Sequence, residues 1–412
     1  MQAGQPIRTG DWLSGASLRA GCSLVLALYA AFVLSWAWLT RGFTLGTVLR
    51  PGTDFSVFWS AGHLALQGEA AAAYDYTRLQ PVIAAYGALA DGASFDLPWL
   101  YPPAFLLWMA PLAALPFALA YVVFIGGSGW AYVAGLLRLQ AAGGWSAGVA
   151  RWLPVVACPG FVVTGAMGQN AFLTAALALW AVLLLERRPV IAGMLAGALC
   201  IKPQLAVLLP LALLAAREWR ALAVAAATAL LMTLLAACVF GWDTLPAFLS
   251  AGARAKHEML EHSDTAWYAM PTALALARLL GASAASAYLA QGISALAAAA
   301  AVAYVWRRQA GPVLRAGALG VGTTLATPYL WYYDLSWLGI ALVALAALGM
   351  GKGGWLRGER LLLLAGWLLP LYLFVNRGTR WPQCGVLVLV LVLLAVLRRA
   401  RAAPVCTGRG AA

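Results

Sequence analysis

Long apolar runs alternate with polar interruptions along the chain, and the length of the runs predicts membrane-spanning helices rather than strands. A helix needs about 20 apolar residues to cross the roughly 30 Å hydrocarbon layer. The first such run, 22–39, follows Arg8 and Arg19 and has no small-residue cleavage site behind it. It reads as an uncleaved first span with a cytoplasmic N-terminus. The run 101–137 is long enough for two spans, with Pro111 and Pro116 marking the turn. Further spans are predicted at 169–185, 189–201, 203–216, 221–240, 283–306, 312–327, 335–350, 361–375 and 385–397. Two of these, 189–201 and 203–216, are too short to cross as helices unless the bilayer thins or a cavity opens at one end. Segment 149–167 would invert every later span if it crossed, so it is read as re-entrant. The expectation is an all-α polytopic membrane protein with about 12 transmembrane helices.

Composition supports this pattern. Apolar residues make up 63% of the 412 and charged residues 10%, with a mean hydropathy of +0.83. Soluble domains carry roughly 25% charged residues, so a water-soluble globule is excluded. The net charge of +13 fits cytoplasmic loops facing anionic lipid, and no nucleic-acid partner is expected. Arg187 and Arg188, Arg217 and Arg220, Arg307, Arg308 and Arg315, Lys352, Arg357 and Arg360, and Arg398, Arg399 and Arg401 fall in every second connection. That places 1–21 and the basic tail 398–412 in the cytoplasm. Ten of the 14 acids fall in the opposite connections: Asp54, Glu69, Asp75, Asp91 and Asp96 in a first extracytoplasmic loop 40–100, Asp243, Glu258, Glu261 and Asp264 in a second, 241–270, and Asp334 in a third. The whole of 1–412 reads as one integral membrane domain. Cys22, Cys158, Cys200, Cys238, Cys384 and Cys406 show no paired spacing, so no disulfide or metal framework is expected.

Polar groups beside a bilayer are costly and mark functional positions. Asp54 lies 15 residues after the first run, inside Thr53-Asp54-Phe55-Ser56-Val57-Phe58-Trp59. Partial desolvation there would raise its pKa and suit a general base, while a helix N-cap is the plain alternative. Tyr101 precedes Pro102 and Pro103, which begin the next span. Gln169 and Asn170 form a second outward point, and Lys202, between two short spans, a third. Lys202 is either a snorkelling side chain or a phosphate-binding cation, and the short flanking spans favour the cation. Tyr332, Tyr333 and Asp334 emerge on the same face, as do Arg377 and Arg380. Arginines at an outward end run against the usual bias, which makes them candidates for an anionic ligand, with snorkelling to the interface as the plain alternative. His257 and His262 in the second loop are candidate donor contacts or packing residues, and His63 reads as structural.

The order Asp54-Phe55, Gly68, Tyr74-Asp75, Tyr101-Pro102-Pro103, Gly168-Gln169-Asn170, Lys202-Pro203 and Thr327-Pro328 with Trp331 resembles glycosyltransferase family 87, from about Leu24 to Trp337. The resemblance implies a GT-C type helical bundle whose first extracytoplasmic loop supplies the catalytic aspartate. It implies a polyprenyl-phosphate-sugar donor, mannose being the first choice of sugar, and a lipid or glycan acceptor. Asp54 would then deprotonate the acceptor hydroxyl in one inverting displacement, and Lys202 with Arg377 or Arg380 would hold the donor phosphate. No cofactor and no metal is expected. One departure is Tyr332-Tyr333-Asp334 after the late proline-tryptophan element, where mannosyl relatives tend to carry histidine. The site is expected on the periplasmic face of an inner membrane. Competing readings are another sugar such as arabinose, a transporter or flippase of lipid-linked sugars, and a degenerate member that binds without catalysis.

Overall fold

The apolar runs fold into helices, and the computed structural model contains no strand among the residues it describes: 15–43, 50–86, 97–145, 151–263, 265–351 and 353–402. The chain before Gly15, Asp91, Asp96, Asp264, Lys352, Cys406 and the tail beyond Ala402 lie outside the described residues. Helix α1 (Gly15–Leu39) is the first apolar run. The polar interval after it is itself helical, with α2 (Thr53–Leu66) and α3 (Tyr76–Tyr86) joined by a 3-10 turn at Ala70–Tyr74. The run predicted as two spans becomes the short α4 (Leu106–Ala113) and the long α5 (Phe117–Ala142), with Pro116 capping the second. Segment 149–167 holds α6 (Leu153–Val156) and α7 (Pro159–Met167). The 9 residues of α7 rise about 13 Å, far less than the hydrocarbon thickness.

Four short helices follow: α8 (Ala171–Leu184), α9 (Pro189–Ala198), α10 (Pro203–Ala206) and α11 (Leu208–Ala215). Proline stands at the first helical position of α9 and α10, where its missing N–H has no partner to lose. The long α12 (Trp219–Phe240) leads to α13 (Thr244–Ala255), a π-helical turn at Lys256–Glu261, α14 (Ala266–Ala269) and α15 (Ala273–Leu279). The last part comprises α16 (Ala284–Arg307), α17 (Pro312–Ala326), a 3-10 turn at Tyr332–Leu335, α18 (Ser336–Met350), α19 (Glu359–Thr379) and α20 (Gly385–Ala402).

Six of these elements are long and apolar enough to cross a membrane: Gly15–Leu39, Phe117–Ala142, Trp219–Phe240, Ala284–Arg307, Tyr332–Met350 and Glu359–Thr379. Four more are apolar but shorter, at Pro103–Ala113, Ala171–Leu184, Pro189–Ile201 and Pro203–Ala215. The long helices turn leucine faces outward, including Leu28 and Leu34 on α1, Leu230 and Leu231 on α12, and Leu289 and Leu296 on α16. Soluble monomers do not expose apolar area on that scale, so lipid is the solvent these faces fit. By contrast, every residue of α17 from Val313 to Ala326 is buried, and its Gly, Ala and Thr side chains let α16, α18 and α20 close around it.

Close backbone approach recurs where α9 meets α12. A β-carbon at Gly193 would stand 2.6 Å from the Ala221 carbonyl oxygen, and one at Gly197 would collide with that of Ala225. The polar interval is pinned by aromatics. Phe58 on α2 meets the rings of Tyr101 at 5.0 Å and Phe105 at 5.3 Å, both edge-on. Gly168 ends α7 with φ 78°, a left-handed conformation that glycine adopts without steric penalty. A β-carbon there would lie 2.5 Å from Cβ of Phe55, so the turn that begins α8 presses directly on α2. Phe58→Ala should therefore lower stability by about 3–5 kcal/mol, measured by thermal unfolding in detergent. Leu296→Ala, at an outward position, should stay within about 0.5 kcal/mol.

Candidate active site

Helix breaks bring the polar residues together. Helix α2 begins after Gly52, whose φ of 84° supplies the turn, and Gly52 makes no side-chain cap. Thr53 donates its hydroxyl back to the Arg50 carbonyl at 2.7 Å. Asp54 is thus inside the first turn, and its carboxylate faces away from its own helix. Oδ2 accepts from Nε2 of Gln169 at 2.7 Å. The N-cap reading is replaced by a tertiary contact between α2 and the start of α8.

Gln169 is held in turn. Its Oε1 accepts from the Tyr101 hydroxyl at 3.2 Å and from the Asn170 backbone N–H at 3.3 Å. With both donors on the oxygen, the amide presents its NH₂ to Asp54. The Tyr101 carbonyl accepts from the Tyr74 hydroxyl at 2.8 Å, and Arg254 of α13 donates to the Tyr74 carbonyl at 2.8 Å. The two polar intervals of the sequence are therefore bonded to each other beside Asp54.

Lys202 occupies the break between a 3-10 turn at Leu199–Ile201 and α10. Its Nζ bonds Oδ1 of Asp334 at 2.5 Å and Oδ1 of Asn170 at 3.3 Å. Only 3% of the lysine side chain and none of the aspartate's is exposed. Snorkelling, which would put the amine in water, does not occur. The expectation of a free phosphate cation changes too, because the amine already has a carboxylate partner. The ammonium also lies 5.9 Å from the Tyr101 ring centre and 5.7 Å from that of Tyr333. Asp334 is oriented by its own backbone, since Oδ2 accepts the Trp331 N–H at 3.3 Å and so caps the 3-10 turn that precedes α18.

Arg377, in the last turn of α19, donates to the Tyr332 hydroxyl at 3.2 Å and lies over the rings of Trp331 and Tyr332 at 5.9 and 6.0 Å. It is exposed, in contrast to Lys202. Arg380 forms the left-handed C-cap of α19 and is also exposed. His257 stands apart in the π turn, where its contacts are Glu261 and His262. Trp331 was not singled out as a site residue; its place in the aromatic run 329–333 was the available signal. Asn170 keeps a buried side-chain nitrogen, Nδ2, without a hydrogen-bond partner.

Burial pushes the Asp54 carboxyl up to about 6, against the opposing pull of the Gln169 hydrogen bond and the Arg377 and Lys202 charges; the Asp334 charge adds to the rise. The group is ionised at neutral pH yet basic enough to take a proton in a transition state. A carboxylate base, one paired and one accessible cation, and tyrosine and tryptophan rings thus converge on one place. That inventory suits an anionic ligand carrying a ring with a polar rim and an apolar face.

The family model of glycosyltransferase family 87 matches residues 99–328. No curated protein and no solved structure matches. The matched range contains Tyr101, Gln169, Asn170, Lys202 and His257, while Asp54, Asp334 and Arg377 lie outside it. The match covers more than half of the chain and most of the elements that build the polar cluster, so this multi-helix membrane protein belongs to glycosyltransferase family 87 and is a glycosyltransferase.

Proposed function

We propose that the chain transfers a hexose, mannose first, from a polyprenyl-phosphate sugar to a hydroxyl of a lipid or glycan acceptor on the extracytoplasmic side of an inner membrane. In this reading about 12 membrane passes are built from the long and short apolar helices, and 40–100 and 241–270 face outward. The observation that carries it is the hydrogen bond from Gln169 to Asp54. It aims a carboxylate of raised proton affinity into the cluster that also holds Lys202, Asp334 and Arg377.

The reaction is a single inverting displacement. Asp54 accepts the proton of the acceptor hydroxyl as that oxygen bonds to the anomeric carbon. The bond from that carbon to the phosphate oxygen breaks, and polyprenyl phosphate leaves with the electron pair. Negative charge grows on the phosphate oxygens, where fixed cations stabilise it most. Arg377 is the contact nearest solvent, with Arg380 beyond it at the helix cap. Lys202 acts from behind, as the paired charge that fixes Asn170 and Asp334. Tyr101, Tyr332 and Tyr333 supply ring surfaces for the sugar. The placement of Asp54 in a polar helical interval favours an enzyme over a flippase, in which ionisable groups lie at the bilayer midplane.

The decisive assay offers radiolabelled polyprenyl-phosphate-mannose, then other polyprenyl-phosphate sugars, with host lipids and glycans to the purified protein in lipid. Label in a new product supports the reading; no transfer from any such donor overturns it. Asp54→Asn should cut kcat/KM by about 10²–10⁴ while donor binding persists. A protonated Asp54 cannot accept another proton, so wild-type kcat/KM should fall as pH drops through about 6 and level off above it. Arg377→Ala should raise donor KM about tenfold or more, the worth of one charge-assisted hydrogen bond; an unchanged KM removes it from the phosphate site. Lys202→Ala should lower stability by about 3–5 kcal/mol because it leaves Asp334 buried and unpaired. Pairing Lys202→Met with Asp334→Leu should recover most of that loss in the same melting experiment.

A further inference from the structure

Two of the three histidines in the chain meet outside the cluster just described. Helix α13 ends in the π-helical turn Lys256–Glu261, with His262 next along the chain. Residues five apart stand about 140° apart around an α-helix, so His257 and His262 would diverge if α13 simply continued. The wider π turn instead brings their ring centres to 4.1 Å. Single π turns inside helices are rare and recur at functional sites. Glu261 joins the pair, with Oε2 at 3.7 Å from Nδ1 of His257. One ligand atom from each of the three residues lies within 4.8 Å of the others.

We propose that His257, Glu261 and His262 bind a divalent transition-metal cation, zinc by the character of the ligand set. Two imidazoles and one carboxylate form a recognised zinc donor set, with bonds of about 2.0–2.2 Å. Tetrahedral placement on bonds of that length needs ligand atoms about 3.4 Å apart, and rotation of the exposed histidines supplies the closure. The outer contacts point the same way. Nδ1 of His262 faces the His257 carbonyl at 2.9 Å, and a carbonyl can only accept, so Nδ1 carries the proton and Nε2 keeps its lone pair. Oε1 of Glu261 accepts from the Tyr288 hydroxyl at 3.1 Å, which leaves Oε2 toward His257. Lys256 Nζ is 3.3 Å from Oε1 and opposes a cation, but it is 59% exposed, and exposed pairs of this kind hold little energy.

The backbone of the turn is held independently of any metal. Trp267 Nε1 donates to the Leu260 carbonyl at 3.1 Å, and Arg278 donates to the Glu261 carbonyl at 2.8 Å. The Tyr329 hydroxyl reaches Sδ of Met259 at 3.3 Å. Tyr329 belongs to the segment that leads into Trp331 and Asp334, so the turn that carries the three ligands flanks the polar cluster.

The test uses the full chain in detergent, free of any affinity tag and stripped with chelator. Cobalt(II) is titrated while visible absorption is followed, and zinc then competes for the site. We expect one saturable equivalent, displaced by zinc and lost in His257→Ala with His262→Ala, and about tenfold weaker in Tyr288→Phe, a loss usual for an outer contact. Circular dichroism matching the wild type certifies the fold of each variant. Asp54→Asn should bind cobalt as the wild type does, which separates this site from the transfer reaction. Absence of saturable binding, or equal binding in the double histidine variant, overturns the proposal.

Discussion

The buried pair of Lys202 and Asp334 is the constraint around which the central helices are arranged. Removing two charges from water costs several kcal/mol per ion, and only close geometry with further hydrogen bonds offsets it. Here the ammonium has both Asp334 and Asn170, and the second oxygen of Asp334 has the Trp331 N–H. These contacts require that three chain segments, at 170, 202 and 331–334, each stop being regular helix at one place. Freed backbone groups at a helix break need partners, and here nearby side chains supply them: Gln169 Oε1 accepts the Asn170 N–H and Asp334 Oδ2 the Trp331 N–H. The shortness of α8, α9 and α10 is thus tied to the same constraint as the ion pair.

Asp54 depends on that arrangement without belonging to a long helix. Its partner Gln169 precedes Asn170 in sequence, so one two-residue element holds the carboxylate on one side and the lysine on the other. The aromatic cover of Phe55, Phe58 and Tyr101 keeps α2 against this element. Burial raises the proton affinity of Asp54, and the two cations nearby restrain it. A bare apolar pocket would hold the acid protonated; a fully solvated loop would leave it a poor base.

Much of this was legible in the sequence, for identifiable physical reasons. The long spans follow from apolar runs, and their starts at Pro189, Pro203 and Pro312 from the one helical position that tolerates proline. Asp54, Gln169, Asn170 and Lys202 were visible because a polar side chain amid hydrocarbon is expensive. Their pairing was not, since Lys202 and Asp334 are 132 residues apart and periodicity says nothing of tertiary partners. Helix α3 within 40–100 was hidden for another reason: it is only weakly apolar and takes its order from packing rather than from propensity. The meeting of His257 and His262 was not legible, because a spacing of five points to opposite faces unless the helix widens into a π turn.

The charges of the cluster also bear on when the base is strongest. Free of ligand, Asp54 and Asp334 are balanced by Lys202 and Arg377, and the Lys202 charge is already committed to Asp334. On the proposed reading, a donor phosphate draws on Arg377, the cation whose attraction otherwise holds the proton affinity of Asp54 down. An added anion therefore raises that affinity further, and Asp54 becomes a better acceptor for the hydroxyl proton once the donor is seated. When polyprenyl phosphate leaves, the same coupling runs in reverse and favours release of the captured proton. On that reading, the opposing charges around one carboxylate link donor binding to proton transfer.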